Sequence, residues 1–228
     1  MANNYTSQQT YIDHFNPKDY LQTYYEPKEG MLYGEWTDFI LRNLHETFTN
    51  VFDEIIVSDF LEQNRVEFQK WLKKDPDAFD WTHIIKEDYE KKAEKLRSKV
   101  KEVLKCDALK RNPYDPIVVP PVDCLLSCLC LEVPCEDIKS YCEVLKNFKD
   151  LIKPGGHLLI SSVLNATFYY VGKTCFGSMT TNKEDLEMAF KEAGYQIEKA
   201  AYAPRIDKSQ MDISNYDAHY FILARKPK

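Results

Sequence analysis

The sequence predicts an α/β fold in which helices cover both faces of a parallel β-sheet. Two observations lead to this fold class. Apolar runs of strand length alternate with amphipathic helices along the chain, as in repeated β–α–β connections, and aspartates follow two of the predicted strands, where such sheets bind ligands. With 228 residues, of which 44% are hydrophobic and 29% charged, the chain fits one globular domain over residues 1–228.

The N-terminal 35 residues are unusually aromatic and are predicted to cap the domain. The aromatic positions are Tyr5, Tyr11, Phe15, Tyr20, Tyr24, Tyr25 and Tyr33. Because tyrosine combines an apolar ring with a polar tip, such a segment is suited to pack over another surface. Spacing alone favours an N-terminal helix fixed on the core over a lid that closes on a ligand.

The first half of the chain contains two strand-like runs separated by helices. An apolar stripe predicts a helix over 36–48, and the Ile-Ile-Val run of a strand over 51–58 predicts burial on both faces. A short helix follows over 62–74. A charged helix with apolar positions from Tyr89 to Val103 then leads into a short strand, VLKC.

The second half alternates in the same way. Prolines bound a buried strand candidate within 122–133. The later elements are a helix over 137–152, a strand over 157–164, a loop over 167–181, a helix over 183–193 and strands over 196–202 and 219–225. Thr181 and Glu184 predict a capping box for the last helix, and Gly194 predicts its C-terminal turn.

Composition excludes several classes of function. The formal net charge of −6 argues against nucleic-acid binding, and the sequence contains no apolar run long enough for a membrane span. Seven cysteines without a secretory signal predict reduced thiols in a cytoplasmic protein. No glycine occurs between Gly34 and Gly155, which excludes the usual glycine-rich phosphate-binding motifs over that stretch.

Asp59 and Asp107 are the most informative polar residues, since each directly follows a predicted strand. A carboxylate at this position can accept hydrogen bonds from ribose hydroxyls or an adenine amine. The alternative is that each aspartate merely caps the next helix. The two interpretations carry equal weight from the residues alone.

The cysteine cluster does not favour a metal site. Its members are Cys124, Cys128, Cys130, Cys135 and Cys142. Their spacing contains no C-x2-C pair, so buried free thiols are favoured over a metal or redox role. The scattered histidines suggest no nucleophilic triad, and we predict no catalytic acid or base.

Six segments carry a resemblance to a known family. They are YIDHFNPKDYLQTYY (11–25), EIIVSD (54–59), WLKKDPDAFDW (71–81), VLKCD (103–107), PPVDCLLSCLCL (120–131) and LIKPGGHLLI (151–160). Together they resemble the nicotinamide, indolethylamine and phenylethanolamine N-methyltransferase family over nearly the whole chain. The resemblance implies a seven-stranded, Rossmann-like methyltransferase fold and transfer of a methyl group from S-adenosylmethionine to a small amine or pyridine nitrogen. A monomer is expected.

The resemblance also implies roles for individual residues. Cofactor contacts are expected from Tyr20, Tyr25, Asp59, Asn64, Asp107, Ala108 and Cys128, and substrate contacts from Tyr20, Ser162, Tyr169 and Ser178. The chemistry is consistent, because aromatic rings attract a sulfonium cation and an in-line arrangement supplies much of the rate.

Two departures from the family pattern affect these expectations. Ser162 stands where the nicotinamide enzymes have a substrate-binding aspartate, which leaves the amine open. The family's first strand and glycine-rich turn are missing between Asn50 and Val51, about 20–30 residues by the size of such units. The sheet is therefore expected to lack a central strand. The alternative function is a non-catalytic or truncated member that acts as a binding partner.

Overall fold

The computed structural model describes residues 5–26, 34–47, 52–85 and 88–228. The helices are α1 (Gln8–His14), α2 (Pro17–Tyr25), α3 (Gly34–Thr47), α4 (Glu62–Leu72), α5 (Thr82–Ile85), α6 (Tyr89–Lys99), α7 (Ile138–Asp150) and α8 (Lys183–Glu192). The strands are β1 (Ile55–Asp59), β2 (Val100–Lys105), β3 (Val122–Cys128), β4 (Ile152–Leu164), β5 (Phe168–Val171), β6 (Thr174–Gly177), β7 (Gln196–Pro204) and β8 (Ala218–Arg225).

The strands form three sheets among the described residues. One pairs β1 with β2 in parallel, one has the order β3-β4-β8-β7, and one is the β5–β6 hairpin. The prediction of an all-parallel sheet is wrong at β8, which runs antiparallel to both β4 and β7. The connection from β7 to β8 contains no helix, so the chain returns directly beside the strand it has just left.

The four-stranded sheet separates two apolar cores. Leu158 and Ile160 of β4 pack towards α7 and α8, whereas Leu159 between them packs towards α2 and α3 with Phe221 of β8. This division follows from the alternation of side chains along a strand. The sheet therefore has helices on both faces, as the α/β class predicts.

Several predicted boundaries are wrong by a few residues. The strand expected over 51–58 begins at Ile55 and is only half-buried, because the charged Asp53 and Glu54 precede it. The helix through Val103 ends at Lys99, and the valines at its end belong to β2. Val100 and Val103 continue the three- and four-residue spacing of the helix, so hydrophobic periodicity does not mark where the helix ends.

Two further corrections concern turns. β3 ends at Cys128 because Leu129 has a φ of 48°, which directs the chain into turns before α7. The loop expected over 167–181 contains the β5–β6 hairpin, with Tyr169 opposite Phe176. The cap of α8 is Asn182 and not Thr181, since the Asn182 side chain accepts from the backbone N–H of Asp185.

The helix expected over 137–152 is α7, which ends at Asp150. Asp137 caps it through a capping box with Ser140, and Gly194 has the positive φ expected after α8. The junction of Asn50 and Val51 and the predicted helix end at Phe48 lie outside the described residues. None of the described helices combines the length and hydrophobicity that a bilayer span requires.

Candidate functional site

Asp59 ends β1 and holds a small polar group around its carboxylate. Its Oδ1 accepts from the backbone N–H of Leu61 at 2.8 Å, and its Oδ2 accepts from Nδ2 of Asn64 at 3.1 Å. Burial raises the pKa of this carboxyl, while those two hydrogen bonds and nearby Arg65 lower it in part. Oδ1 of Asn64 is buried without a partner among the described residues. An acceptor thus stands free beside Asp59.

Asp107 follows β2 in the same way. Its Oδ1 accepts from the backbone N–H of Leu109 at 3.2 Å and from the side-chain amide of Gln8 in α1 at 3.5 Å. Ala108, the next residue, is partly buried against the core around α7. The N-terminal segment therefore reaches over the end of β2.

The helix-capping alternative does not describe either aspartate. Each carboxylate binds the backbone N–H two residues ahead, which is an Asx turn. The N-cap of α4 is Leu61, which offers no side-chain cap, and turns rather than a helix follow Asp107. Because both side chains are only half-buried, part of each stays accessible to a ligand.

An aromatic cluster on α2 faces the ends of the central strands. Tyr20 lies 4.9 Å from Tyr24 and 6.0 Å from Tyr25 between ring centroids. Tyr25 is buried and makes an edge contact with Trp81 at 5.4 Å. Cys128 at the end of β3 packs into the same cluster. Burial raises the pKa of the Cys128 thiol to about 12, so it stays protonated at neutral pH.

Tyr169 of β5 closes this cluster from the side. Its hydroxyl lies 2.7 Å from the hydroxyl of Tyr11 in α1, and its ring stacks on Phe176 with centroids 5.6 Å apart. The same ring belongs to the apolar group of Tyr20 and Tyr25. The hairpin and the N-terminal helices therefore pack together in one aromatic cluster.

Glu132 is a candidate residue that the sequence analysis missed. It lies in the turns after β3, is 3% exposed, and its Oε1 has no partner among the described residues. Burial raises the pKa of its carboxyl, and a hydrogen bond with the Ser162 side chain lowers it in part. Hydrophobic periodicity does not single out Glu132. The signal that could have found it is the presence of a lone acidic residue inside the apolar run CLCLEV.

Ser162 and Ser178, two of the four predicted substrate residues, are both buried. Ser162 is 1% exposed on β4, and its Oγ donates to the carbonyl of Val163 at 3.3 Å. Ser178 is 7% exposed, and the next residue, Met179, donates its N–H to the Glu132 carbonyl at 2.7 Å. Ser162 is thus beside the Glu132 carboxyl, whereas Ser178 is linked to Glu132 only through the backbone of Met179.

Residues at the end of β3 and just after it lie close to the aromatic cluster, to Asp59 and to Glu132. Cys128 contacts the aromatic cluster, and the charge of Glu132 adds to the raised pKa of its thiol. Desolvation raises the pKa of the Cys130 thiol, and the Asp59 and Glu132 carboxylates raise it further, although Cys130 stays exposed to solvent. Cys130 therefore lies within electrostatic range of both Asp59 and Glu132.

The cysteines do not form a metal centre in the part of the chain that the structure describes. All seven are free thiols, and no group of three or more His, Cys, Asp or Glu side chains there could hold an ion.

Comparison with known proteins identifies the family. The profile of the NNMT/PNMT/TEMT family matches residues 46–227. Human nicotinamide N-methyltransferase is 36% identical over 263 aligned positions, covering 99% of this chain and 98% of the relative. Rabbit (Oryctolagus cuniculus) indolethylamine N-methyltransferase is 36% identical over 262 positions, covering 100% and 99%. Since this chain has 228 residues, at least 35 of the 263 positions have no residue in it.

Solved structures agree at the level of the fold. Magnesium protoporphyrin IX methyltransferase from Synechocystis PCC 6803, with bound SAH, superposes with a TM-score of 0.57 at 11% identity, covering 96% of this chain and 98% of that one. The α/β methyltransferase fold class, the N-methyltransferase class and S-adenosylmethionine as methyl donor are thereby confirmed. The chain belongs to the NNMT/PNMT/TEMT family.

Proposed function

We propose that this chain methylates the nitrogen of a small amine or pyridine, and that Glu132 and Ser162 form the polar end of its substrate site. The observation that carries this proposal is the buried carboxyl of Glu132. This carboxyl lies next to Ser162, and its Oε1 has no hydrogen-bond partner among the described residues. A buried carboxyl with a free oxygen is costly unless something pairs with it. A neutral nitrogen base that carries N–H groups would supply that partner.

The residues present fit the nucleoside part of S-adenosylmethionine. Asp59 and the unpartnered Oδ1 of Asn64 offer adjacent acceptors for a pair of hydroxyls, and Asp107 offers another at the end of the neighbouring strand. The bound group supplies a methyl carried on a sulfonium. The chain's own part is to hold the amine in line, and the rings of Tyr20, Tyr25 and Tyr169 exclude water around it.

No acid or base is required for the transfer itself. A neutral amine or pyridine nitrogen already carries the attacking electron pair, so Glu132 is assigned to binding and positioning. Burial raises the pKa of its carboxyl. Ser162, in place of an aspartate, leaves Glu132 as the acidic group of this site.

The test is methyl transfer from radiolabelled S-adenosylmethionine to a panel that includes nicotinamide and tryptamine. Glu132→Gln should raise the KM of the amine at least about tenfold, since one charge-assisted hydrogen bond contributes roughly 1.5–3 kcal/mol. The matched control is Glu136→Gln, because Glu136 is exposed on the surface. Equal KM values for the wild type and Glu132→Gln would contradict the assignment.

The second candidate is a non-catalytic member that binds the nucleoside without turnover. The observation that favours it is the absence of any glycine between Gly34 and Gly155, which leaves no glycine-rich turn for the methionine end of the cofactor. Calorimetry with S-adenosylhomocysteine separates the two. Micromolar binding together with methyl transfer would show that the missing turn is dispensable, whereas binding without methyl transfer favours the second candidate.

A further inference from the structure

Tyr11 of α1 forms a side-chain hydrogen bond with Tyr169, one of the residues expected at the amine site. The two hydroxyl oxygens lie 2.7 Å apart, although 158 positions separate the residues in the chain. Tyr11 is 7% exposed, and burial raises the pKa of both hydroxyls, so both stay protonated at neutral pH. A hydrogen bond of this length fixes the ends of the two rings relative to each other.

The Tyr169 ring lies between two apolar groups. Phe176 is fully buried and stacks on the Tyr169 ring, with centroids 5.6 Å apart and planes 25° apart. Tyr11 lies 4.6 Å from Phe176 between centroids and belongs to the same group. Tyr169 also packs against the group that contains Tyr20 and Tyr25. Its orientation towards that second group is therefore set by Phe176 on its ring and by Tyr11 at its hydroxyl.

The helix that carries Tyr11 is anchored at both ends. Nε2 of Gln63 in α4 donates to the carbonyl of Phe15, directly after α1, at 3.1 Å. Just before α1, Oγ1 of Thr6 accepts from the backbone N–H of Gly177 at the end of β6, at 2.6 Å. Because α1 has only seven residues, these two bonds restrict the whole helix. Tyr11 thus presents its hydroxyl to Tyr169 from a fixed support.

We propose that Tyr11 is a positioning residue for methyl transfer, which acts by fixing the orientation of the Tyr169 ring beside the amine. The inference rests on the proposed function, in which Tyr169 shields the amine site. Transfer requires the nitrogen, the methyl carbon and the sulfur to lie in line, and the rate falls steeply when reacting groups are misplaced. A Tyr169 ring that turns freely still offers apolar contact to the amine, but it no longer holds the amine in one orientation.

Tyr11→Phe tests this role, because it removes the hydroxyl and keeps the ring on Phe176. With saturating S-adenosylmethionine and an amine that the wild type methylates, kcat should fall about tenfold while the KM of the amine changes less than about twofold. Glu132→Gln is expected to show the opposite pattern, with the larger change in KM. An unchanged kcat in Tyr11→Phe, or a rise in KM alone, would overturn the proposal.

Thr6→Val is the matched control. It removes another hydroxyl contact between the N-terminal segment and the β5–β6 hairpin, but one that does not involve Tyr169. Its kcat should stay within about twofold of the wild type. Equal losses in Thr6→Val and Tyr11→Phe would overturn the proposal, because any weakening of the contact between segment and hairpin would then have the same effect.

A double-mutant cycle shows whether Tyr11 acts through Tyr169. Tyr169→Phe removes the same hydrogen bond from the other side and should lower kcat at least as much as Tyr11→Phe does. Adding Tyr11→Phe to Tyr169→Phe should then cause little further loss, since the bond is already absent. Independent, multiplying losses would overturn the proposal, because Tyr11 would then act through another group.

Fluorine NMR tests the same contact without turnover. The full chain is labelled with fluorotyrosine, and the Tyr169 resonance is identified by its loss in Tyr169→Phe. That resonance should shift or broaden in Tyr11→Phe and stay unchanged in Thr6→Val. An unchanged Tyr169 resonance in Tyr11→Phe would overturn the proposal. A wild type that methylates no amine would instead contradict the proposed function, so the two failures are distinguishable.

Discussion

The β1–β2 pair and the four-stranded sheet are built from similarly apolar strands, yet they differ in burial. Seven of the eight residues of β8 are buried, whereas none of the five in β1 is. β8 lies between β4 and β7 with helices on both faces, while β1 has one described neighbour. The comparison teaches that the hydrophobicity of a strand does not fix its burial. The number of neighbouring strands and helices does.

The largest expected effect is the loss of unfolding free energy when a buried side chain of β8 is truncated, compared with the same kind of truncation in β1. Phe221→Ala in β8 removes a fully buried ring and should lower the free energy of unfolding by about 3–5 kcal/mol. Val57→Ala in the half-buried β1 should cost only about 1 kcal/mol, because less surface is lost from a site that water already reaches. Urea unfolding followed by circular dichroism measures both. Similar losses would show that β1 is as well buried as β8 in solution.

The same difference explains which features the sequence predicts. The second half of the chain follows its periodicity closely, because Leu158, Ile160 and Ile222 lie in a sheet with two covered faces. The first half does not, since the Ile-Ile-Val run reports only that β1 is apolar. The antiparallel placement of β8 was also beyond reach, because periodicity does not give strand direction.

The candidate site shows a similar limit. Asp59 and Asp107 could be predicted, because an acidic residue after a strand is a local pattern. Glu132 could not, since its importance arises from Ser162 thirty residues later and from a buried oxygen without a partner. Contacts across such distances depend on packing that one sequence does not reveal. The roles of the predicted cofactor and substrate residues stay predictions.

The next largest effect is a loss of stability at acid pH that comes from a buried histidine of β8. His219 of β8 is 1% exposed between the rings of Phe39 and Tyr216, and neither ring nitrogen has a partner among the described residues. Burial, aided by nearby Arg205, lowers its pKa from 6.5 to about 4. Between these values the unfolded chain binds the extra proton, so stability falls as the pH drops from about 6.5 to 4, by about 3 kcal/mol in total.

Replacing His219 isolates its contribution to the pH dependence of the unfolding free energy. His219→Phe removes the titrating group while keeping a ring beside Phe39, so the decrease of unfolding free energy across that pH range should shrink. His45→Gln, at an exposed position near the end of α3, is the control and should leave the pH dependence unchanged. Unfolding free energies at several pH values measure the slope. An unchanged slope in His219→Phe would mean that this histidine is accessible to water.

The smallest effect compares aspartate hydrogen bonds at the starts of two helices, one in each half of the chain. Asp137 caps α7 by accepting from the N–H of Ser140 at 2.7 Å, and α7 buries Tyr141 and Leu145 in the main core. Asp80 forms an Asx turn, in which its carboxylate accepts from the N–H of Thr82 at 2.9 Å at the start of the four-residue α5. Asp137→Ala removes a helix cap, which is typically worth about 1 kcal/mol, and Asp80→Ala removes the single hydrogen bond of the Asx turn.

The two losses should appear in different measurements. Because α7 unfolds with the buried sheet, Asp137→Ala should lower global stability by about 1 kcal/mol. Asp80→Ala should leave global stability nearly unchanged and instead speed hydrogen exchange around α5, since a short helix with no buried residues opens locally. Ser140 loses its partner in the first variant, so Asp137→Asn, which keeps an acceptor, should restore most of the loss. Equal global effects of both alanine variants would mean that the two halves unfold as one unit, and that the difference in burial is not a difference in stability.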